Sequence, residues 1–306
     1  MRALHRQRGA ALLLALVITA IAATLAAGMV FDNELQFGRS TQVAQQERAW
    51  QLAAGMEEWA LALLDRDAEL APLWDGPGDA WTTPLPPTPV PGGEVSGRIT
   101  DLAGRINLNG LLRPDGTDDL PAVRRFRRLV VDVLALDPAI VDQLLDRLDA
   151  DAAPRPLGHE PGAGAGRPGR LAHEAELREL PAVSDEAWAA LAPFVAALPR
   201  LTRLNVNTAP APVRMALADG IGAELAERIA PRPGAPWTSI AEFAAQPALE
   251  DIALDLDGLA VASGAFRAEA LIVLDGTPLR FASVIFRGGG SSVSRYHVRN
   301  RSLELP

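Results

Sequence analysis

The stretch that decides the fold is RGAALLLALVITAIAATLAAGMVF, residues 8–31 of a 306-residue chain. In it, Gly9 is followed at once by an uncharged apolar run that continues to Phe31. A run of this length meets the requirement of about 20 apolar residues for a helix that crosses a bilayer. Arginines precede the run and acidic residues follow it. The positive-inside rule therefore predicts a cytoplasmic N-terminus, with the bulk of the chain on the other side of the membrane.

The position of the glycine separates two interpretations of this segment. A secretory signal peptide has a shorter apolar region, and its small-residue cleavage site follows that region. Ala20-Ile21-Ala22 could supply such a site, and a plain membrane anchor is a further alternative. Here, however, the glycine precedes the apolar run. Cleavage after Gly9 would keep the run in the mature protein, as a helix that begins at Ala10.

Hydrophobic periodicity predicts the elements that follow. A helical pattern continues past the apolar run, which indicates one helix from Ala10 to about Leu64. The proline-rich segment Pro72–Gly93 is predicted to be a loop. Alternating patterns, two of them joined by an Asp-Gly turn signal, predict four strands. These strands are Val95–Asp101, Ala265–Leu274, Leu279–Phe286 and Val293–Arg299.

The block between the first and second of these strands is predicted to be helical. The predicted helices are Pro121–Leu134, Ala139–Leu148, Leu171–Leu180, Asp185–Leu198 and Ile240–Ala245. Two N-x-N pairs, Asn107/Asn109 and Asn205/Asn207, each precede a helix-rich stretch. Asparagine suits such places because its short side chain bonds nearby backbone groups in caps and turns. The repeat divides the block into two predicted modules.

Composition narrows the possible functions. The formal net charge is −9, which does not suit nonspecific binding of DNA or anionic lipid. The chain has no cysteine, so disulfides and thiolate metal sites are excluded. All 29 basic residues are arginine, which excludes a P-loop lysine, a Schiff-base lysine and a Ser-Lys dyad. No nucleophile–base–orienter set stands out, so we expect a protein that is not an enzyme.

Five stretches, in this order, resemble the pseudopilin K family of type II secretion, which is related to the type IV pilins. They are RGAALLLALV, GRINLN, RLDADAAPRPLGHE, EAELRELPAVS and LTRLNVNTAP. In most pilin-like proteins the fifth residue after the cleaved glycine is a glutamate. Here that position is Leu14, and no acid occurs from Ala10 to Phe31. Pseudopilin K is the family member that lacks this acid.

The resemblance implies an α+β fold. A long N-terminal helix would pack on a small antiparallel sheet, and a large all-helical domain, SAM-like or helix-hairpin-helix-like, would be inserted between strands. The implied divisions are a prepilin leader (1–9), a transmembrane helix (10–31), a pilin-like helix, loop and first strand (32–105), the insertion (106–263) and the C-terminal strands (264–306). The insertion would comprise modules of about 106–200 and 201–263.

The resemblance also implies a function. The protein would be a single-pass inner-membrane protein with a periplasmic body, located at the tip of the pseudopilus and helping to start its assembly. Its partners would be minor pseudopilins I and J, with H in the same complex. The prepilin peptidase would cut between Gly9 and Ala10 and methylate the new amine. No nucleic acid is expected. The alternative is a membrane-anchored periplasmic DNA-binding protein that uses a helix-hairpin-helix within Leu204–Arg228.

Calcium is the one cofactor that the resemblance suggests. Asp149, Asp151 and Glu160 match acidic positions in a region that carries calcium in the family. Ca²⁺ takes six to eight oxygen ligands, which a loop with several carboxylates and free carbonyls can supply. The aromatic residue that follows in the family is replaced here by the glycine–alanine stretch 162–166. The alternative is an ordinary solvated acidic loop at a helix end.

Overall fold

The structure is a computed structural model that describes residues 4–71, 73–149, 154–158, 169–288 and 296–304. The α-helices of this part of the chain are α1 (Leu4–Leu70), α2 (Leu120–Arg127), α3 (Ala139–Leu148), α4 (Asp185–Leu191), α5 (Ala211–Met215), α6 (Ala223–Arg228) and α7 (Ile240–Ala244). The strands are β1 (Leu85–Val90), β2 (Gly93–Asp101), β3 (Ile106–Asn107), β4 (Val195–Ala196), β5 (Leu204–Asn205), β6 (Leu259–Ala260), β7 (Ala265–Leu274), β8 (Thr277–Arg287) and β9 (Tyr296–Glu304).

The chain divides into two units, residues 1–54 and residues 55–306. The first unit contains most of α1, and the second contains the last turns of α1, the sheet and the insertion. The prediction of one long N-terminal helix is confirmed, with bounds wider than the predicted Ala10 to Leu64. The predicted domain boundaries themselves stay predictions.

The main sheet has five antiparallel strands in the order β1-β2-β7-β8-β9. Its central pair, β2 and β7, runs in continuous register from Gly93↔Leu274 to Asp101↔Phe266. A two-residue turn joins β7 to β8. Asp275 and Gly276 both have positive φ there, 47° and 80°, as a type I′ hairpin turn requires. The strand signals at 95–101, 265–274 and 279–286 are therefore confirmed.

The loop predicted for Pro72–Gly93 is wrong in part, because its second half forms β1. This strand, LPPTPV, lies at the edge of the sheet and, among the residues that the structure describes, pairs with β2 alone, with an irregular register between Leu85 and Thr88. Proline has no N–H to donate, so a sheet accepts it at an edge strand, where one side needs no partner. The high proline content therefore led to a loop being predicted where a strand forms.

Apolar side chains join the end of α1 to the sheet. Trp81 and its T-shaped neighbour Phe266, with ring centroids 5.3 Å apart, lie in this core. The other buried members are Ala60, Leu64, Ala68, Ile99 and Ile285. Gly97 permits close packing, since a Cβ there would lie 2.3 Å from Met56 Cε. An α+β body with helix against antiparallel sheet is thus confirmed.

The insertion between β2 and β7 has its own hydrophobic core, centred on side chains such as Phe126, Leu144 and Phe243. The prediction that it is all-helical is wrong. It contains two short parallel strand pairs, β3 with β4 and β5 with β6. Each pair joins the start of one module to its end, and each starts at an N-x-N pair.

The two N-x-N pairs make matching hydrogen bonds, which confirms their predicted role in turns. In each pair the first side chain accepts from the backbone N–H of the second, as Asn107 does from Asn109 and Asn205 from Asn207. The side chain of the second asparagine then forms hydrogen bonds with both the N–H and the C=O of one distant residue. Asn109 bonds Leu171 N at 2.8 Å and Leu171 O at 3.0 Å. Asn207 bonds the N–H and C=O of Trp237, each at 2.9 Å.

Two predicted helices are corrected by these contacts. Leu171–Leu180 contains only a 3₁₀ turn, Glu174–Glu179, because the backbone of Leu171 is held by Asn109 and the turn starts at the His173 cap. Asp185–Leu198 is helical only to Leu191. Its remainder forms a 3₁₀ turn and then β4, which pairs with β3. Pro193 favours this early end, since proline cannot donate within a continuing helix.

Candidate functional site

The first candidate feature is the apolar part of α1. Leu12–Met29 is long and apolar enough to cross a membrane, although a signal sequence meets the same two criteria. Its 18 residues span about 27 Å as a helix, close to the roughly 30 Å of a bilayer core. No residue of this window is buried within the chain, and Leu14 is 64% exposed. Gly9 and Ala10, the predicted cleavage point, lie within α1.

The second feature is a buried polar junction where the insertion meets the sheet. Asn205 donates from Nδ2 to Ser263 Oγ at 2.7 Å, to the Asp75 carbonyl at 3.0 Å and to Asp101 Oδ2 at 3.3 Å. Asp101 also accepts from the hydroxyls of Ser263 and Thr208. All of these groups except Thr208 are buried. Burial raises the pKa of the Asp101 carboxyl to about 6, and the two hydroxyl donors partly oppose that rise.

The predicted calcium residues are only partly described. Asp149 ends α3, is 8% exposed and accepts a 2.6 Å bond at Oδ2 from Arg155. Asp151 and Glu160 lie outside the described residues. The same guanidinium bonds Asp146 at 2.7 Å and Asp118 at 2.9 Å.

Arg155 is thus the cation that these carboxylates hold. Burial alone would lower the pKa of Arg155, but its hydrogen bonds to Asp149 and Asp146 outweigh that effect and raise it. A calcium ion at Asp149 would have to share the carboxylate with this guanidinium. Asp149 is the one predicted ligand that the structure describes, and a single carboxylate does not define a metal site, so calcium here stays a prediction that depends on Asp151 and Glu160.

The helix hairpin α5–α6, the basis of the DNA-binding alternative, uses Arg214, one of its two arginines, internally. Arg214 is 7% exposed and donates to the carbonyl oxygens of Ala226, at 2.7 Å, and Ala209. The exposed Asp219 lies in the turn between the two helices and pairs with Arg128. Phosphate binding needs an accessible basic face. This hairpin instead uses Arg214 to brace its own backbone.

Sequence reasoning missed the contacts of Arg155, Asp75 and Asp101, several of which join residues that are distant in sequence. Arg155 meets Asp118 across 37 positions, and Asp75 meets Arg287 across 212. No local periodicity or spacing carries such pairings. The turn-forming asparagines could be predicted, because asparagine before a helical block bonds backbone groups only a few positions away.

Comparisons with known proteins agree over most of the chain. Two models of the type II secretion system (T2SS) protein K family match residues 104–200 and 204–262. Type II secretion system protein K of Pseudomonas aeruginosa is 36% identical over 69% of this chain and 68% of that protein. The protein of the same name from Klebsiella pneumoniae is 31% identical over 93% of this chain and 94% of its own length.

A solved structure shares the fold. The crystal structure of the GspK-GspI-GspJ complex from the enterotoxigenic Escherichia coli type 2 secretion system contains a chain with a TM-score of 0.74 to this one. The match is 24% identical and covers 88% of this chain and 99% of that chain. This likeness shows the fold alone.

Fold and N-terminal segment together define the class: an α+β protein with a long N-terminal helix, one segment able to span a membrane, and an antiparallel sheet that carries an insertion. Within that class, the chain belongs to the type II secretion system protein K family.

Proposed function

We propose that the protein is a non-enzymatic minor pseudopilin that caps the tip of a periplasmic pseudopilus and helps to start its assembly. The observation that carries the tip position is Leu14, in a segment without any acid from Ala10 to Phe31. A subunit stacked below another would offer a carboxylate at this position to the terminal ammonium of the subunit above. Leu14 cannot do so. The Ala10 ammonium can still pair with a glutamate of a partner, so the contact is one-sided, as suits a terminal subunit.

The absence of an acid also has an energetic reason. A carboxylate at the centre of a membrane helix costs about 2.5–3.5 kcal/mol on insertion scales unless it is paired. A repeating subunit recovers this cost from its neighbour above. A terminal subunit has no such neighbour, so leucine at this position avoids the cost entirely.

The position of the insertion supports the same proposal. Met56 approaches Gly97 in β2, whereas Ala68, farther along α1, belongs to the core around Phe266 at the start of β7. The insertion therefore begins after β2 and ends before β7 at the same end of the sheet, beside the last turns of α1. A bulky domain at that end would obstruct another subunit from docking above. We infer that its two modules are SAM-like or helix-hairpin-helix-like units used for packing.

We further propose the partners and processing that belong to this role. The partners are minor pseudopilins I and J, with H in the same tip complex; the solved relative is itself in a complex with GspI and GspJ. The apolar segment anchors the chain once in the inner membrane, and the body lies in the periplasm. A prepilin peptidase cleaves between Gly9 and Ala10 and methylates Ala10.

The test is the position of the labelled full chain in assembled pseudopili. We expect one label at one end of each filament, and a labelled major subunit should mark the whole shaft as the control. Coexpression with the I and J partners should yield a discrete complex that does not grow as its concentration rises. Labels of this chain spaced along the shaft would refute the tip position.

A further inference from the structure

Three carboxylates converge beside the end of α1, outside every site considered so far. They belong to Asp67, in the last turns of α1, and to Asp75 and Asp79, in the segment that follows. One carboxylate oxygen of each lies within 4.8 Å of the others. Asp75 is fully buried and Asp67 is 6% exposed, whereas Asp79 is half-buried. The cluster therefore reaches solvent through Asp79.

The three carboxylates differ in their partners. Asp75 binds Arg287 through both oxygens, at 2.6 and 3.0 Å, and accepts the Ser263 N–H at 2.6 Å. Asp79 accepts the Gly76 N–H at 2.7 Å. Asp67 is the exception: no donor meets hydrogen-bond geometry at its buried Oδ2, and the neighbouring indole N–H of Trp81 is itself left without a partner. A buried, unpartnered carboxylate oxygen is costly, so this atom indicates that a ligand completes the cluster.

The charge balance indicates what kind of ligand. Three carboxylates carry three negative charges, and Arg287 supplies one positive charge through Asp75. If all three are ionised, two negative charges remain to be balanced. Burial, followed by the charges of Asp79 and Asp75, raises the pKa of Asp67 to about 7, against the opposing effect of Arg287. The cluster therefore holds either an extra proton or an extra cation near neutral pH.

We propose that Asp67, Asp75 and Asp79 bind one hard divalent cation, with Ca²⁺ preferred to Mg²⁺. All three donors are carboxylate oxygens, which hard cations prefer. Ca²⁺ accepts six to eight oxygens in irregular geometry, so it tolerates a site in which Asp75 is shared with Arg287. Mg²⁺ requires near-ideal octahedral geometry, which a carboxylate fixed by another partner restricts. Asp67 would supply the oxygen that has no other partner.

Such a site would stabilise the place where three parts of the second unit meet. Asp67 belongs to α1, Arg287 ends β8, and Ser263 closes the insertion. Asp75 bonds Arg287 and Ser263, and a cation would link Asp67 to that pair, so it would fix the insertion relative to the helix end. This consequence is independent of the Asp149, Asp151 and Glu160 prediction and of the tip proposal.

The test uses the full chain in detergent at pH 7.5, stripped with EDTA and then titrated with Ca²⁺, Mg²⁺ or Tb³⁺. Trp81 lies beside the cluster, since its indole affects the pKa of both Asp67 and Asp79, and it should sensitise Tb³⁺ luminescence. We expect Ca²⁺ to raise the thermal midpoint, because a ligand that binds only the folded state stabilises it. Asp67→Asn should weaken Ca²⁺ binding at least about tenfold, the lower end of losses for altered metal surroundings.

Matched variants make the result specific. Asp65→Asn removes a charge from the same helix outside the cluster, and Asp151→Ala removes one from the predicted calcium loop; both should retain Ca²⁺ binding. Asp79→Asn repeats the test at the half-buried position if Asp67→Asn does not fold. An unchanged calcium affinity in both cluster variants would overturn the site.

The absence of any response to the three ions in the wild-type chain would overturn it as well. Asp67→Asn should then raise the midpoint at pH 8, because above its pKa of about 7 the Asp67 carboxyl is mainly ionised and the substitution removes that buried charge. A response to Mg²⁺ without one to Ca²⁺ would support the site and overturn the preference for calcium.

Discussion

The substitution Asn109→Ala tests how the insertion is held together. Asn109 is 3% exposed and makes three long-range hydrogen bonds with its side chain: Leu171 N to Oδ1 at 2.8 Å, and Nδ2 to the carbonyls of Leu171 and Leu198 at 3.0 Å each. Alanine removes all three and leaves buried backbone groups without these partners. Each bond contributes about 0.5–1.5 kcal/mol net. The expected loss in the free energy of unfolding is therefore about 3 kcal/mol.

The loss should appear in both thermal and exchange measurements. For a body of this size, 1 kcal/mol corresponds to about 2–4 °C, so the midpoint should fall by about 6–12 °C. Hydrogen exchange should show faster exchange of the Leu171 amide. The equivalent substitution Asn207→Ala should act on the other module, at the amide of Trp237, which Asn207 holds.

A matched control and a clear refutation follow from the same structure. Thr117→Ala removes one side-chain hydrogen bond, from Thr117 Oγ1 to Asp115 Oδ1, within an exposed turn of the same module, and it should change stability by no more than about 0.5 kcal/mol. Two results would contradict this argument. One is a loss of less than about 1 kcal/mol in the free energy of unfolding of Asn109→Ala; the other is an equal increase of amide exchange in both modules.

The remaining predictions concern processing, calcium and pH. N-terminal sequencing of the mature protein should begin at Ala10 with an N-methyl group, whereas a start near Ala23 would contradict pilin-type cleavage. Any Ca²⁺ stabilisation that survives in Asp67→Asn should vanish on adding Asp151→Ala; survival in the double variant would exclude the acidic loop. The pKa of Asp101 is raised to about 6, so the folded state binds this proton more tightly than the unfolded state. Stability should fall as pH rises from about 4 through 6, and Asp101→Asn should flatten that slope in thermal scans; an unchanged slope would contradict the pKa.

Elements with a local signal could be predicted from the sequence. The helix Ala139–Leu148 appears with the predicted bounds because its apolar spacing and Pro138 define it locally. The Asp275-Gly276 turn was predictable because only a few residue types accept positive φ at both positions. The asparagine pairs were predictable because capping depends on residues two or three positions away.

Elements decided by tertiary contacts could not be predicted. β1 contains three prolines, and it forms because it can pair with β2 as an edge strand. Residues 195–196 follow a helix in a pattern that would extend it, yet they pair with β3 instead. In both cases a distant partner outweighs local propensity. The contact of Asp149 with Arg155, six positions away across residues with no periodic signal, could not be predicted either.

The insertion leaves the sheet intact because the chain departs and returns at one point. Asp101 ends β2 opposite Phe266, and Leu102 N donates to the Ala265 carbonyl at 3.0 Å just beyond that pair. The entropy of closing a loop grows only slowly with its length, so a long insertion costs the sheet little once its ends are fixed. Those ends are further fixed by buried polar groups, since Asn205 N donates to the Ala103 carbonyl at 2.8 Å. The sheet can therefore carry a domain at one end without a change of register, as the proposed tip position requires.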